Sequence, residues 1–385
     1  MACNPAIFPS AFHPHIGGVE ELTRQLALEQ TRRGMHPLIV ANQWPRSLPK
    51  TDLVDGLTVR RLPFRTPGYH LRHLVGWAAW GAKTHQQTAR TLKEWGADMV
   101  HIQCVSSNAP FAGQASRRLG LPLVVSAQGE LSMDANHQFE RSAIARSILR
   151  RALADADVIT GCSRYVLDEL DRFSNGQCIQ KMRVIYNGID LMECARAAPE
   201  PRTRPYVLGL GRLVPQKGYD SLIRAFQLLA PEFPDYELVI AGDGPQSTQL
   251  HDLVVSLELQ SRVQFLGTVD HRTALSLMAG AAAFALCSQH EPQGIVILEA
   301  MAVGSPVVAS AGGGVPEIVD GSNGLLYPVG DFETLACRLR EILNDDATAA
   351  ELSLAGRATA ARFSWNALAR DYQAAYIDAG ASHTP

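Results

Sequence analysis

Several features that would fix a function class are missing from this chain of 385 residues. No apolar run reaches the ~20 residues that a membrane-spanning helix needs. The first residues lack a basic flank followed by an apolar core, which argues against a secretory signal. The seven cysteines form no Cys-x-x-Cys pair, and this disfavours a disulfide framework and a zinc site. We expect a cytoplasmic protein with reduced thiols.

Common nucleotide-binding fingerprints are absent as well. The segment GLGRLV has Val214 where a Gly-x-Gly-x-x-Gly motif needs glycine, and the chain has no Gly-x4-Gly-Lys-[Ser/Thr] loop. Dehydrogenase and ATPase functions are therefore disfavoured. No cluster of histidine and carboxylate residues indicates a metal, so we expect metal-independent action without a cofactor.

Charge is sparse and unevenly divided. Residues 1–195 hold 22 Lys and Arg against 17 Asp and Glu, a net +5, whereas residues 196–385 hold 13 against 21, a net −8. Such an asymmetry arises by chance or marks a surface that meets an acidic lipid or acceptor. We expect no nucleic-acid partner, and peripheral contact with the inner face of a membrane stays open.

Short apolar runs alternate with helical patterns along the whole chain, as in YVLGLG, ELVIAG and PVVAS. Runs without polar alternation are typical of parallel strands covered on both faces. The predicted fold class is α/β, with two doubly wound Rossmann-like domains facing across a cleft. The first strand is expected to be poorly formed, because Pro5 and Pro9 interrupt it.

The domain boundary is predicted from composition. Prolines and charges concentrate at 195–205, a stretch without an apolar face, and this predicts a linker. The domains are then 1–194 and 206–364, and an amphipathic pattern at 365–380 predicts a last helix.

The segment EPQGIVILEAM carries the strongest chemical signal. Glu291 precedes a predicted helix and Glu299 lies within it, so their carboxylates are expected to stand roughly 12 Å apart. A retaining glycosidase needs ~5 to 5.5 Å; the spacing instead suits two carboxylates that hold the ends of one elongated ligand. The backbone N–H groups of Gly294, Ile295 and Val296 would face an anion such as a diphosphate. A plain helix with an acidic first turn explains the spacing equally well.

Two loops supply further candidates for phosphate binding. Arg212 and Lys217 follow the strand YVLGLG, where cations in a dry cleft would stabilise a leaving diphosphate. Gly17 and Gly18 precede a helix and would allow close approach of a ligand. Taken alone, solvated cations and an ordinary turn account for these loops equally well.

Together these segments resemble the retaining glycosyltransferases of family 4, which have the GT-B fold. The resemblance covers nearly the whole chain and rests on HPHIGGVEE, VVSAQGELS, VIYNGID, LGLGRLVPQKGYDSLIRAF and, above all, EPQGIVILEAMAVGSPVVASAGGGVPEIV. It implies a nucleotide-sugar co-substrate, with a UDP-sugar ahead of GDP-mannose, and a hydroxyl acceptor that is a carbohydrate, a lipid-linked molecule or a small molecule. It also implies that the last helix packs back on the first domain.

The resemblance also implies residue roles. Arg212 and Lys217 would bind the donor diphosphate, Glu299 the ribose, and Glu291 the transferred sugar. The acceptor hydroxyl would attack from the face that the diphosphate leaves. Further implied contacts are Gly17 and Gly18 with the diphosphate or acceptor, and Leu266 and Val269 with the base. Gln128, Glu130 and His101 are further candidates for contact with the sugar or acceptor.

Two substitutions depart from the family pattern. Gln128 stands where many relatives carry histidine, and Gln293 replaces the usual aromatic residue of the Glu-x-Phe-Gly segment. Because a fold does not determine a function, three alternatives remain: a nucleotide-sugar epimerase, a glycan phosphorylase, or a non-catalytic subunit that binds a sugar nucleotide. The aromatic and basic segment 64–80 is either a core helix with a solvated edge or a contact with a membrane or an acceptor.

Overall fold

The structure, a computed structural model, describes residues 3–15, 17–65, 71–132 and 138–380, with the backbone alone at residues 71–79, 138 and 140. The chain forms two compact units. Unit 1 comprises Met1–Asn187 and Trp365–Pro385, and unit 2 comprises Gly188–Ser364. Most of the predicted segment 64–80 lies outside the residues whose side chains are described.

Unit 1 is built on one mixed sheet with helices on both faces. Across the described residues the sheet has eight strands in the order β3-β4-β2-β1-β5-β6-β7-β8, and all neighbours are parallel except β3 and β4. Its strands are β1 (Pro5–Pro9), β2 (Leu38–Asn42), β3 (Thr51–Val54), β4 (Leu57–Leu62), β5 (Met99–Gln103), β6 (Leu123–Ala127), β7 (Val158–Gly161) and β8 (Met182–Val184). Its helices are α1 (Gly18–Arg32), α2 (Leu71–Trp95), α3 (Ala109–Leu119), α4 (Gln138–Arg141), α5 (Ala143–Asp155), α6 (Arg164–Ser174) and α14 (Trp365–Asp378).

Unit 2 is built on a wholly parallel sheet in the order β11-β10-β9-β12-β13-β14. This is the strand order of a classical Rossmann domain. Its strands are β9 (Tyr206–Leu210), β10 (Glu237–Ala241), β11 (Val263–Gly267), β12 (Ala283–Leu286), β13 (Val307–Ser310) and β14 (Leu325–Tyr327). Its helices are α7 (Leu191–Arg196), α8 (Tyr219–Leu229), α9 (Ser247–Ser256), α10 (His271–Gly280), α11 (Ile295–Val303), α12 (Phe332–Asn344) and α13 (Asp346–Ala360).

The expectation of a poorly formed first strand is wrong. β1 is fully buried and pairs in parallel with both β2 and β5. The two prolines stand at the first and last positions of the strand, so Ala6, Ile7 and Phe8 supply the apolar centre between them. Prolines at strand ends remove few ladder hydrogen bonds, which explains why the strand persists.

The division between the units falls earlier than the predicted linker at 195–205. Helix α7 belongs to unit 2 and contacts α11 there. The backbone N–H of Glu200 also donates to the carbonyl of Ser276. A stretch rich in proline and charge therefore runs along unit 2 instead of separating the units.

Helix α14 returns to unit 1 and completes its core. Tyr372 and Tyr376 are buried among side chains of α1 and of the sheet. The Tyr376 hydroxyl lies 2.8 Å from Nδ1 of His101 and accepts a hydrogen bond from Nε2 of Gln30 at 2.9 Å. A helix from the end of the chain therefore anchors to the central strands of unit 1.

Candidate active site

The topology of unit 2 singles out one edge of its sheet. The strand order reverses between β9 and β12, and the loops after these two strands diverge from this switch point. Ligands of open α/β sheets bind at such a point, outside the carboxyl ends of the strands. The loop after β9 contains Arg212 and Lys217, and the loop after β12 contains Glu291. These predicted residues are therefore neighbours by topology.

Lys217 and Glu291 form an ion pair at this point. Nζ of Lys217 lies 2.6 Å from Oε2 of Glu291, and Oγ of Ser288 donates to the same oxygen at 3.2 Å. Only 15% of the Lys217 side chain and 12% of the Glu291 side chain are exposed. The ammonium is thus held in a sheltered position with donor capacity left over, because a lysine has three N–H groups.

A glycine lets the two loops approach. Gly218 has φ of +63°, and a Cβ atom there would stand 2.3 Å from the carbonyl oxygen of Cys287. No other residue type fits that contact without displacing backbone. The backbone N–H of Gln289 also donates to the carbonyl of Gln216 at 2.7 Å. Close packing of the loops therefore fixes the position of Lys217.

Helix α11 begins directly after the ion pair. Gly294 is its N-cap with φ of +94°, and no side chain caps the helix. The N–H groups of Ile295 and Val296 lie in the first turn, where backbone donors have no partner within the helix. The carbonyl oxygen of Glu291 accepts from the backbone N–H of Gly314 at 2.8 Å. The segment that leads into α11 is thereby tied to the loop after β13.

Glu299 lies on α11 and pairs with a residue that the sequence analysis missed. Nε2 of His271 is 2.9 Å from Oε1 of Glu299, and Nδ1 of His271 is 3.2 Å from Oε1 of Glu193. The hydrogen bond to Glu299 raises the pKa of His271 to about 9, against the opposing effect of burial. His271 is therefore protonated at neutral pH, and it fixes the orientation of the Glu299 carboxylate.

The remaining donor-side candidates lie at the same sheet edge. Arg212 is exposed and follows β9. Leu266 is half-buried at the end of β11, and Val269 is half-buried in the loop that follows. Both apolar side chains pack on the core of unit 2 and leave part of their surface uncovered.

In unit 1 the glycine pair begins α1. Gly17 is the N-cap in an extended conformation that any residue adopts, and both Gly17 and Gly18 are exposed. No heavy atom lies within 4 Å of a Cβ built at Gly18. The start of α1 is therefore open to a ligand, although its backbone does not itself require glycine.

Gln128 and Glu130 lie just after β6 and are held by neighbouring groups. Oε1 of Gln128 accepts from Nδ2 of Asn187 at 2.8 Å. The Glu130 carboxylate accepts from the backbone N–H of Gln128 at 2.7 Å and from that of Val105 at 3.0 Å. Glu130 therefore stabilises the loops after β5 and β6, while Nε2 of Gln128 is buried without a hydrogen-bond partner among the described residues.

The position of His101 speaks against its predicted contact with the sugar or the acceptor. It is completely buried in the centre of β5. Its ring nitrogens lie 2.8 Å from the Tyr376 hydroxyl and 2.7 Å from the Ser126 hydroxyl. Burial lowers the pKa of His101 to about 3. This histidine is a neutral structural residue that joins α14 to the sheet.

Among the described residues, no set of three or more His, Cys, Asp or Glu side chains is placed to hold a metal ion. Asp155 and Asp157 have the spacing of a carboxylate pair. Asp155 pairs with Arg117 and Arg151, and Asp157 accepts from the backbone N–H of Leu123 at 2.8 Å. Both carboxylates are thus engaged in the packing of unit 1.

Comparison with known proteins assigns the family. A model described as Glycosyltransferase Family 4 matches residues 16–193, and one described as Glycosyl transferases group 1 matches residues 193–359. The chain is 30% identical to the GDP-mannose-dependent monoacylated alpha-(1-6)-phosphatidylinositol monomannoside mannosyltransferase of Corynebacterium glutamicum, over 73% of this chain and 77% of that protein. The chain belongs to glycosyltransferase family 4. This family 4 glycosyltransferase is also 31% identical to alpha-D-kanosaminyltransferase of Streptomyces kanamyceticus, over 84% of this chain and 90% of that protein.

The fold of this family 4 glycosyltransferase agrees with solved structures. HepE of Anabaena in complex with UDP has a TM-score of 0.76 against it, with 23% identity over 96% of this chain and 98% of the other. The predicted fold class, two Rossmann-like domains of the GT-B type, is confirmed, and so is the assignment to a transferase enzyme. In the part of this family 4 chain that the structure describes, no helix is long and apolar enough to cross a membrane.

Three further residues of this glycosyltransferase escaped the sequence analysis. His271 and Ser288 contact the predicted glutamates and Glu193 contacts His271, yet none of the three carries a local signal for that role. His271 is 28 positions before Glu299. Asn187 had a signal, because it lies in the quoted segment VIYNGID.

Proposed function

We propose that this chain is a retaining glycosyltransferase that moves a sugar from a nucleoside diphosphate donor to an acceptor hydroxyl. A UDP-sugar and GDP-mannose are the candidate donors. The acceptor is a carbohydrate, a lipid-linked molecule or a small molecule. The observation that carries the proposal is the sheltered Lys217–Glu291 pair at the switch point of the unit 2 sheet, next to the uncapped start of α11.

Lys217 and Arg212 are assigned to the donor diphosphate. Negative charge grows on this group as the glycosyl–phosphate bond breaks, and cations already in position stabilise that charge without reorganisation. The first-turn N–H groups of α11 add donors, and the helix dipole favours an anion there. Each charge-assisted hydrogen bond contributes about 1.5 to 3 kcal/mol.

The two glutamates are assigned to opposite ends of the donor. Glu291 would accept from hydroxyls of the transferred sugar, since Lys217 and Ser288 orient its carboxylate. Glu299 would accept from the ribose hydroxyls, and His271 keeps it in place. Leu266 and Val269, half-buried near the end of β11, would cover the base.

The proposed reaction needs no attacking protein carboxylate. The acceptor oxygen forms a bond to the anomeric carbon on the face that the diphosphate leaves. The bond from the anomeric carbon to the phosphate oxygen breaks, and a diphosphate oxygen takes the acceptor proton. The nucleoside diphosphate is released and the configuration of the sugar is retained. Stabilising the leaving group then matters more than any single general base.

The relatives support the donor class. The corynebacterial relative is described as GDP-mannose-dependent, and the HepE structure contains UDP. A nucleotide-sugar epimerase, a glycan phosphorylase and a non-catalytic subunit are the competing functions. A thermal-shift screen over UDP, GDP and ADP sugars identifies the donor base, because a ligand that binds the folded state raises its apparent stability.

Incubating that donor without an acceptor separates the alternatives. An epimerase converts its substrate unaided, whereas a binding subunit leaves it intact even when acceptors are added. The proposed transferase releases nucleoside diphosphate only when an acceptor or water takes the sugar. Arg212→Ala should lower this turnover at least about tenfold without changing thermal stability; unchanged turnover would remove Arg212 from the site.

A further inference from the structure

A strongly basic pocket lies in unit 1, between β4 and α2. We call it the β4–α2 pocket. Its volume is about 530 Å³, which is the size of a small-molecule site. It extends from the ends of β2 and β4 to one side of α2, at the sheet edge where the parallel strands end. Its lining consists mainly of basic and polar side chains, together with Leu62, Pro63 and Trp80.

The lining contains cations and no carboxylate among the described residues. Its cations are Arg46, Lys50, Arg60, Arg61, Arg65, Lys83 and Arg90. Two of them are neutralised from outside the lining, since Arg61 pairs with Asp52 and Arg90 with Glu94. The described residues provide no ion pair for Arg46, Lys50, Arg60 or Lys83. Several like charges around one concavity repel each other and focus a positive potential inside it.

The burial of Arg61 distinguishes this pocket from an ordinary solvated basic surface. Its side chain is only 2% exposed and is held by Asp52 at 2.8 Å and by the carbonyl of His13 at 2.8 Å. Nε of Arg61 is buried and has no hydrogen-bond partner among the described residues. An unsatisfied buried donor destabilises the folded protein. An anion inside the pocket would be attracted to the fixed positive charge of this guanidinium.

The shape of the lining also limits the ligand. The Arg65 guanidinium lies 5.4 Å from the centre of the Trp80 ring, which gives the pocket an apolar wall beside its cations. Thr51, Gln87 and Thr91 add polar groups suited to hydroxyls. The volume exceeds what a single ion needs, so the pocket suits a phosphate ester with an attached polar or saccharide group.

We propose that the β4–α2 pocket binds a phosphate-bearing ligand. This inference rests on the proposed function, which makes the ligand the acceptor. The acceptor is then either a soluble sugar phosphate or the phosphorylated head of a lipid. Guanidinium groups bind phosphate oxygens in a bidentate manner, and Lys83 adds a mobile point charge. The net positive charge of the first half of the chain is then explained by a specific site.

The test compares two charge-matched double variants. Arg46→Gln/Lys83→Gln removes two exposed lining cations. Lys93→Gln/Arg118→Gln removes two exposed cations outside the lining, one of them on α2 as well. Glucose 6-phosphate binding is measured by calorimetry, and sedimentation with phosphatidylcholine vesicles is measured with and without phosphatidylglycerol. Lys217→Ala reports any phosphate binding in unit 2, and a UDP thermal shift tests donor binding independently.

Binding of glucose 6-phosphate that falls at least about tenfold in the pocket variant, but persists in the matched control and in Lys217→Ala, supports a soluble ligand. Sedimentation that requires phosphatidylglycerol and is lost only in the pocket variant supports a lipid head group. Either interaction should weaken with salt. The proposal is overturned if neither probe binds, or if both double variants lose binding equally. A UDP shift that persists in those cases leaves the donor site intact.

Discussion

At the residue scale, Lys217 and Glu291 are best understood as a unit. Each side chain is almost buried, and each is the other's charged partner. Removing one therefore leaves the other as an unpaired buried charge, which is unfavourable. Their roles in donor binding would depend on each other for the same reason. Ser288 adds a third member through its bond to Glu291.

This coupling is testable by a double-mutant cycle. Lys217→Ala should lower kcat/KM by about tenfold to a few hundredfold, because one charge-assisted contact to the leaving group is lost. Combining it with Glu291→Gln should cost less than the sum of the single effects, with a coupling of about 0.5 to 3 kcal/mol. Steady-state kinetics measure both quantities. Arg224→Ala, exposed on α8, is the control. Simple additivity would show that the two residues act separately.

His271 should make stability depend on pH. Its pKa is raised from 6.5 to about 9 by Glu299. The stabilisation is therefore complete below pH 6.5, declines as the pH rises, and is lost above about 9. Because half of the ring is exposed, we expect about 1 kcal/mol or less. Urea unfolding at several pH values should show this decline in the parent but not in His271→Gln. The His251→Gln control should keep it, and parallel curves for parent and His271→Gln would refute the pairing.

At the element scale, the start of α11 depends on the loop after β13. Gly313 has φ of +69°, and a Cβ there would stand 2.1 Å from the Glu291 carbonyl oxygen. Gly330 has φ of +80°, but nothing lies within 4 Å of its Cβ position. The two glycines therefore separate backbone strain from steric contact.

Gly313→Ala should cost more than about 3 kcal/mol of unfolding free energy and raise the donor KM, because Glu291 must move. Gly330→Ala should cost only about 1 to 2 kcal/mol and leave KM unchanged, because only the positive φ is penalised. Denaturant titration and donor kinetics measure the two effects. Equal costs would mean that the loop after β13 adapts freely.

Helix α14 gives a second prediction at this scale. Tyr376→Phe removes the hydroxyl shared by His101 and Gln30, so unfolding free energy should fall by about 1 to 3 kcal/mol. Donor and acceptor kinetics should stay the same, since His101 is structural. Tyr236→Phe, in unit 2, is the control, because it also removes a tyrosine hydroxyl. It should lower the unfolding free energy by less than about 0.5 kcal/mol. A kinetic defect in Tyr376→Phe at unchanged stability would restore His101 as a candidate site residue.

Elements were predictable where local pattern alone decides them. The runs ELVIAG and PVVAS became buried parallel strands, and α11, apolar apart from Glu299, became a largely buried helix capped by Gly304. An apolar run does not indicate β3, because it is an antiparallel edge strand whose side chains are exposed or half-buried. β1 was misjudged because its pairing on both sides outweighs its terminal prolines.

At the scale of the whole molecule, the candidate site could be predicted only in part. Lys217 and Glu291 each lie in a recognisable segment, but their contact spans 74 positions and follows from the strand order. The pairing of Glu299 with His271 follows from the packing of α10 beside α11. The burial of His101 could not be predicted from sequence, because a buried histidine and a ligand-binding histidine in a strand have the same local pattern.

The central claim is retention during transfer from a nucleoside diphosphate sugar. The most direct measurement is proton NMR of the slow hydrolysis of the donor selected by thermal shift, followed before the released sugar mutarotates. We predict that the first anomer to appear has the configuration of the donor, and that Lys217→Ala slows its appearance at least about tenfold. First appearance of the opposite anomer, or conversion of the donor to its epimer, would contradict the account.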